Sequence, residues 1–361
     1  MRIAFHVFSI LGAGHLQRAR AIAAALAPHD VIWLGHRPAG APGELVAQPL
    51  AVTAVPPSPQ EAATCIRIGQ QLARQITEQP PDVLVTEHFP FGSDIFDDGF
   101  LPILQAAKAA GVPIVASVRD ILGKDRDHLA WAQRATKILN YWYEAILWHG
   151  DRRLLGFDFP LLAHVRPRVL PTGYVRVGTS PPWQPEPRHW VASCGAGRGE
   201  GLQFCLAVLN AQDRLAAAGW RLTLIAGREN HEHLHRQPIT LPAGTTLLPW
   251  TDDLPGLLAT ATLSVSQCGY NTSLEVLASG APGVFVPFVE PRNEEQRLRA
   301  EVIARCPGYR VLSLFDPQLV SRLAETVAAL EGEAARPPQL DMQGADASAR
   351  MLVSLSGPSY R

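Results

Sequence analysis

The sequence predicts an α/β protein built as two Rossmann-like domains facing across a cleft. Three observations lead there. Short apolar runs alternate with alanine- and leucine-rich segments of helical length, the pattern of a doubly wound parallel sheet. Each half of the chain opens with a strand, a Gly-Ala-Gly turn and a helix, at Gly12-Ala13-Gly14 and again at Gly195-Ala196-Gly197. Between the halves, residues 176–188 carry four prolines and no periodicity, as an interdomain linker would. A chain of 361 residues holds two domains of ordinary size. The expected divisions are an N-terminal domain over 1–176, a linker over 177–188, a C-terminal domain over 189–335 and a tail over 336–361.

In the first half, apolar runs bounded by turn formers read as buried strands at 3–10, 30–34, 52–55, 83–86, 114–118 and 153–155. Helices are expected at 15–27, 61–79, 100–110 and 130–148. The last contains Tyr141-Trp142-Tyr143 and Ile146-Leu147-Trp148, and reads as an amphipathic core helix rather than a membrane-facing patch. In the second half, strands fall at 190–193, 222–226, 246–248, 263–265 and 283–286. The tail is proline-flanked and then mildly helical.

Composition narrows the function classes. A formal charge of −1 and a pI near 6.9 supply no basic field for nucleic acid or anionic lipid. Five dispersed cysteines form no CxxC pair, which points to a reduced compartment rather than a disulfide framework. The apolar run from residue 3 to 11 lacks a basic region before it and a cleavage site after it, so it is not read as a signal peptide. No run reaches transmembrane length. A soluble, cytoplasmic protein is expected, with peripheral membrane contact left open. His231-x-His233-x-His235 has no companion cysteine or acidic cluster at ligand spacing and reads as a solvated loop, so no metal site is assigned.

The most informative stretch is Ser266-Gln267-Cys268-Gly269-Tyr270-Asn271-Thr272-Ser273-Leu274-Glu275. It follows a buried-strand run, turns at glycine, and opens a helix at Asn271 or Thr272 that ends near Gly280. Unpaired N–H groups and the positive end of the dipole suit such a helix start to phosphate. Glu275 shares a helical face with Asn271 and Thr272 and can accept from hydroxyls such as those of a ribose. Thr272-x-x-Glu275 is also a capping box, which would add stability only.

A second candidate lies in the first glycine turn, where Gly14 precedes His15 and Arg18 at the carboxyl end of the first strand. A histidine there can act as a general base, and the helix start would lower its pKa. A dinucleotide reading fails, because Gln17 stands where the third glycine is needed and no acidic residue ends the second strand. Glu87 and His88 end one later strand and Asp120 follows the next, with Asp120 a candidate to orient the His15 ring or to cap its own turn. In the second half, Gly195, Gly197 and Arg198 form a glycine loop fit for pyrophosphate, and Arg228 ends the following strand. Trp250 reads as either a core aromatic or a site residue.

These residues resemble the donor-binding signature of the GT-B glycosyltransferases, the superfamily of the UDP-glycosyltransferases and the N-acetylglucosaminyltransferase that forms lipid II. There the pattern reads His-Cys-Gly-Trp-Asn-Ser, a glutamate three residues on, and a later acidic-Gln pair. Gln267, Cys268, Gly269, Tyr270, Asn271, Thr272 and Glu275 stand in those places, and Glu295-Gln296 supply the pair. Gln267 replaces a histidine that touches the diphosphate. The resemblance implies diphosphate on Gly269, Asn271 and Thr272, ribose on Glu275, sugar hydroxyls on Glu295 and Gln296, and the nucleobase near Trp250. It implies that His15 deprotonates the acceptor. With the segments at 86–92 and 117–122, and with Pro291 to Ala300, the chain is similar over most of its length to a bacterial subfamily of predicted glycosyltransferases. The implied activity is inverting and metal-independent, with no cofactor: a sugar moves from a nucleotide-sugar donor, UDP by family habit, to a small-molecule, glycan or lipid-linked acceptor. Two alternatives stay open: a nucleotide-sugar hydrolase that admits water, and a non-catalytic sugar-nucleotide-binding protein.

Overall fold

The structure is a computed structural model that describes residues 1–8, 14–46, 58–92, 94–122, 128–155, 164–195, 200–237, 239–288 and 294–355. The chain divides into two compact units, one of residues 1–177 with 340–361 and one of residues 178–339.

The first unit contains β1 (Arg2–Val7), α1 (Gly14–Ala25), β2 (Asp30–Gly35), β3 (Glu44–Leu45), α2 (Pro59–Glu78) and β4 (Val83–Glu87). It continues with α3 (Asp97–Ala109), β5 (Ile114–Arg119), α4 (His128–Trp142), β6 (Ala145–His149) and β7 (Arg168–Pro171). All seven strands are parallel, in the order β3-β2-β1-β4-β5-β6-β7. A parallel sheet needs cover on both faces, so its strands are apolar throughout rather than alternating. β1, β4 and β6 are buried along almost every residue for this reason. The order reverses between β1 and β4, and the carboxyl ends of those strands are where ligands of open α/β sheets bind. On one face α2 and α3 press together through Gly69 and Gly99: a Cβ on Gly69 would lie 2.0 Å from the Gly99 carbonyl oxygen.

The second unit contains β8 (His189–Ser193), α5 (Gly201–Ala216), β9 (Arg221–Ile225), α6 (Arg228–Arg236), β10 (Thr245–Leu248) and α7 (Leu254–Thr260). Then come β11 (Leu263–Ser266), α8 (Tyr270–Ser279), β12 (Gly283–Phe285), α9 (Glu295–Ile303), β13 (Tyr309–Val311) and α10 (Leu319–Ala329). Its six strands are again parallel, in the order β10-β9-β8-β11-β12-β13, with the reversal between β8 and β11.

The last element, α11 (Gly344–Leu355), belongs to the first unit. The returning chain is tied there by Asp341, whose N–H donates to Asp151 Oδ2 at 2.8 Å and whose carbonyl accepts from Tyr174 N–H at 2.7 Å. Ala349, Leu352 and Leu355 then pack in one cluster with Ala19, Ile22 and Ala23 of α1. At the other boundary, residues 183–186 hydrogen bond into the second unit, through Trp183 Nε1 to Ala261 O at 2.8 Å and Gln184 N to Ala259 O at 2.8 Å.

Several elements differ from expectation. The helix expected over 130–148 ends at Trp142, and Ile146, Leu147 and Trp148 lie in β6, all fully buried. Tyr143 is a buried residue of the connection, while Tyr141 is exposed beneath the Lys108 ammonium. Residues 153–155 form a turn, and β7 takes the edge position instead. The segment expected as a loop around His231–His235 is helix α6. The strand expected at 52–55 lies outside the described residues. Among the described residues no helix is long and apolar enough to cross a membrane.

Leu352 is fully buried, so Leu352→Ala leaves a cavity under α11 and is expected to cost about 2–5 kcal/mol. Urea unfolding checks it through a lowered midpoint at unchanged slope. An unchanged midpoint would mean α11 does not dock on α1.

Candidate active site

In the first unit the site grows from a buried carboxylate. Glu87 ends β4 at the sheet's switch point and is 3% exposed. A carboxylate there must be paired, and three groups from two other elements converge on it. From α1, the Arg18 guanidinium, itself 2% exposed, donates Nη2–H to Oε1, and His15 Nδ1 lies 3.0 Å from the same oxygen. From β5, Ser117 Oγ–H donates to Oε2 at 2.6 Å. His15 and Arg18 reach it together because they are three residues apart on the first turn of α1.

The chain of contacts continues inward. Ser117 Oγ is 2.8 Å from His149 Nε2, and His149 Nδ1 is 2.8 Å from Thr172 Oγ1. Thr172 Oγ1 also lies 2.8 Å from the Gly173 carbonyl oxygen. This row crosses the carboxyl ends of β4, β5, β6 and β7.

The electrostatics follow from burial and pairing. Burial alone would raise the Glu87 carboxyl, but Arg18, His15 and Ser117 together hold it at about 2. Burial lowers His15 below its ordinary value, against the pull of Glu87, and Arg18 and Arg119 lower it further. His15 is therefore neutral near pH 7. His15 Nδ1 also lies 3.1 Å from Arg18 Nη2; in the tautomer that gives Nδ1–H to the ionised Glu87, the lone pair is on Nε2. The side chain keeps 20% exposure. His88, at a left-handed φ of 66°, sets its ring 4.9 Å from that of His15.

The carboxylate beside His15 is thus Glu87, and Asp120 takes the capping role: its Oδ1 accepts from Ile121 N–H at 2.9 Å, and its carbonyl accepts from Trp148 Nε1–H at 3.0 Å. Arg18, singled out with His15 at the end of the first strand, is an interior partner of Glu87. Ser117, His149 and Thr172 went unread: Ser117 stood in a segment singled out for its neighbours, and His149 lay hidden by the misplaced helix.

In the second unit, α8 starts at Tyr270, earlier than expected, with Gly269 as N-cap and no side-chain cap. Thr272 is then the third helical residue, so the capping box with Glu275 does not form. Ser273 N–H, one turn in, donates to Gly269 O at 2.9 Å. Asn271 and Thr272 are half-buried, and Glu275 is 9% exposed one turn in. Gln267 is buried, its N–H donating to Ser193 O at 3.1 Å, and its side-chain Nε2 finds no partner among the described residues.

α9 braces this turn from behind. Arg299, 1% exposed, donates Nη1–H to the Cys268 carbonyl at 2.7 Å and Nη2–H to Glu295 Oε1 at 2.6 Å, with its guanidinium 5.9 Å from the Tyr270 ring. Glu295 is therefore an interior partner of Arg299 rather than a presented carboxylate. Gln296 is half-buried, and its Oε1 accepts from Phe288 N–H at 3.1 Å. Gly195 follows β8 at φ 63°, Arg228 opens α6 after β9 and is exposed, and Trp250 follows β10. Trp250 is 43% exposed, with Nε1–H donating to Asp252 Oδ1 at 3.2 Å, which overturns its reading as a core aromatic. All of these sit at the carboxyl edge of the second sheet. Gly197 and Arg198 lie outside the described residues.

Residues 201–353 match the glycosyltransferase family 28 C-terminal domain. The UDP-N-acetylglucosamine–N-acetylmuramyl-(pentapeptide) pyrophosphoryl-undecaprenol N-acetylglucosamine transferase of Bradyrhizobium diazoefficiens is 29% identical over 242 residues, which is 65% of this chain and 63% of that protein. Its namesake in Parasynechococcus marenigrum is 25% identical over 244 residues, 66% and 63% of the two chains. The chain thus spans less than two thirds of the length of these curated relatives. Among solved structures, MurG of Acinetobacter baumannii has a TM-score of 0.58 at 16% identity, covering 97% of this chain and 94% of that one. The calicheamicin glycosyltransferase CalG4 has a TM-score of 0.62 at 18% identity, covering 99% and 95%. The fold is GT-B, and the chain is related to the glycosyltransferases that share it.

Acid stability tests the buried network. His149 and His6, both buried, are each lowered to about 3 by burial, His149 further by Arg18 and His6 by His36. The unfolded chain binds protons on these rings from about pH 6.5 downward, and the folded one does not. These two rings alone give a slope of about 2.7 kcal/mol per pH unit between those limits, and His15 and His88, also lowered by burial, add to it. Stability is present above pH 6.5 and lost as pH falls, and Glu87 adds to the loss from about 4.5 toward 2. Urea unfolding between pH 7.5 and 4.5 should show this slope. A flat profile would mean that the rings are solvated.

Proposed function

We propose that the protein is an inverting, metal-independent glycosyltransferase that moves a sugar from a nucleotide-sugar, UDP-linked, to an acceptor hydroxyl or amine. The observation that carries this reading is the His15–Glu87 pair, a neutral imidazole with its Nδ1 side held by a buried, ionised carboxylate. In this role Nε2 takes the acceptor proton while the acceptor atom bonds to the anomeric carbon. The bond from that carbon to the diphosphate oxygen breaks, and the nucleoside diphosphate leaves with the electron pair. Glu87 stabilises the imidazolium that results and fixes the ring.

The donor role falls to the second unit. The uncapped start of α8 would receive the diphosphate on the N–H groups and side chains of Asn271 and Thr272, and its dipole would stabilise the leaving group in place of a divalent cation. Glu275 would accept from the ribose hydroxyls. Gln267 would supply an amide donor, without a partner among the described residues, where the resembling signature has histidine. Arg299 and Glu295 act as positioning residues that hold the Cys268–Gly269 turn. The choice of UDP rests on the relatives, which are named for UDP-N-acetylglucosamine.

Two variants separate the roles. Calorimetric titration with a panel of UDP- and TDP-sugars should find one that binds wild type and His15→Ala alike, and Glu275→Ala about tenfold or more weakly, the loss of a charge-assisted hydrogen bond. Turnover of that donor should fall about 10²–10⁴-fold in His15→Ala, the range for losing a general base. No binding by any nucleotide-sugar sinks the assignment. Full activity of His15→Ala removes the base.

A further inference from the structure

Helix α6 carries a feature that the transferase reading does not use. His231 and His235 are four residues apart on one face, His231 half-buried and His235 exposed. Their Nε2 atoms lie 3.1 Å apart. With ordinary metal–imidazole bonds of about 2.05 Å, a 3.1 Å separation corresponds to a nitrogen–metal–nitrogen angle of about 98°. That angle falls between the square-planar value of about 90° and the tetrahedral value of about 109°. The two nitrogens are therefore close enough to share a single ion.

We propose that His231 and His235 form a bidentate surface site for a divalent late transition-metal ion, Cu²⁺, Ni²⁺ or Zn²⁺. Two imidazoles match the nitrogen preference of these ions and exclude the hard cations Mg²⁺ and Ca²⁺, which take oxygen. Without metal, one Nε2–H donates to the other Nε2. When the ion binds, that ring carries its proton on Nδ1 instead, both Nε2 lone pairs form dative bonds, and no net proton or electron is exchanged.

The stretch His231-Glu232-His233-Leu234-His235 also has the H-E-x-x-H spacing of hydrolytic zinc sites. That chemistry needs a third protein ligand and a carboxylate free to act as base. Glu232 is instead paired with Arg236 at 2.9 Å, and among the described residues no group of three metal-ligating side chains occurs. The remaining positions on the ion therefore go to water, and the site is a chelate, not a hydrolase. It bridges one turn of α6 and stabilises it, since an ion that binds only the folded helix raises its stability by mass action.

The test uses chelator-treated full-length protein titrated with NiCl₂ and CuCl₂. One equivalent should bind wild type and His233→Ala, which removes a histidine from another face, and bind His231→Ala and His235→Ala about tenfold or more weakly. The Cu²⁺ complex at one equivalent should show hyperfine coupling to two imidazole nitrogens, and nickel should raise the melting temperature of wild type and His233→Ala alone. Equal affinity in His235→Ala, an equal loss in His233→Ala, or coupling to a single nitrogen would overturn the site.

Discussion

The first unit is organised around one buried negative charge. A carboxylate with 3% exposure costs several kcal/mol unless its oxygens are fully engaged. Glu87 meets that demand with a guanidinium, an imidazole and a hydroxyl drawn from α1 and β5. The same contacts that make its burial tolerable set the register of α1 against the sheet, fix the plane of the His15 ring and choose which ring nitrogen carries the proton. Fold and candidate chemistry are here one constraint. Removing Arg18 would leave the charge unpaired, and removing Glu87 would leave a buried guanidinium in the same position.

The second unit solves a different problem in the mirror sense. Its switch point presents positive partial charge, the N–H groups at the start of α8, with no side chain spent on capping them. An open helix start is costly to hold without support. Arg299 supplies it by gripping the Cys268 carbonyl, and Glu295 balances the guanidinium within the interior. A buried ion pair is a poor source of net stability, but its geometry is directional, which suits a brace better than an apolar contact would.

Much of this was legible in the residues. The alternation of apolar runs with helical segments located most strands of both sheets, and the two turns after β1 and β11 stood out because glycine, polar side chains and a following helix occur together. Strand and helix could not be told apart at 143–149, since a fully buried parallel strand and a core helix are both continuous apolar runs. The partner of His15 was also hidden: Glu87 and Asp120 are equivalent by position at strand ends, and only the packed sheet decides which carboxylate faces α1. Glu295 looked available because its motif lies beside Gln296, yet Arg299 one turn later claims it. The convergence of His231 and His235 depends on α6 being a helix, and polar residues before a proline gave no sign of one. The docking of α11 on α1 rests on contacts between opposite ends of the chain, which local patterns do not carry.

The central claim is that His15, held by Glu87, activates an acceptor against a nucleotide-sugar in one displacement. The most direct measurement is proton NMR of the anomeric centre during turnover of the donor that binds, with the acceptor or water that accepts the sugar. A single displacement predicts a product of inverted anomeric configuration from the first turnover, absent when His15 is replaced by alanine. A product of retained configuration would contradict the account, because it requires either two displacements or departure and attack on the same face, and neither uses a general base placed as His15 is.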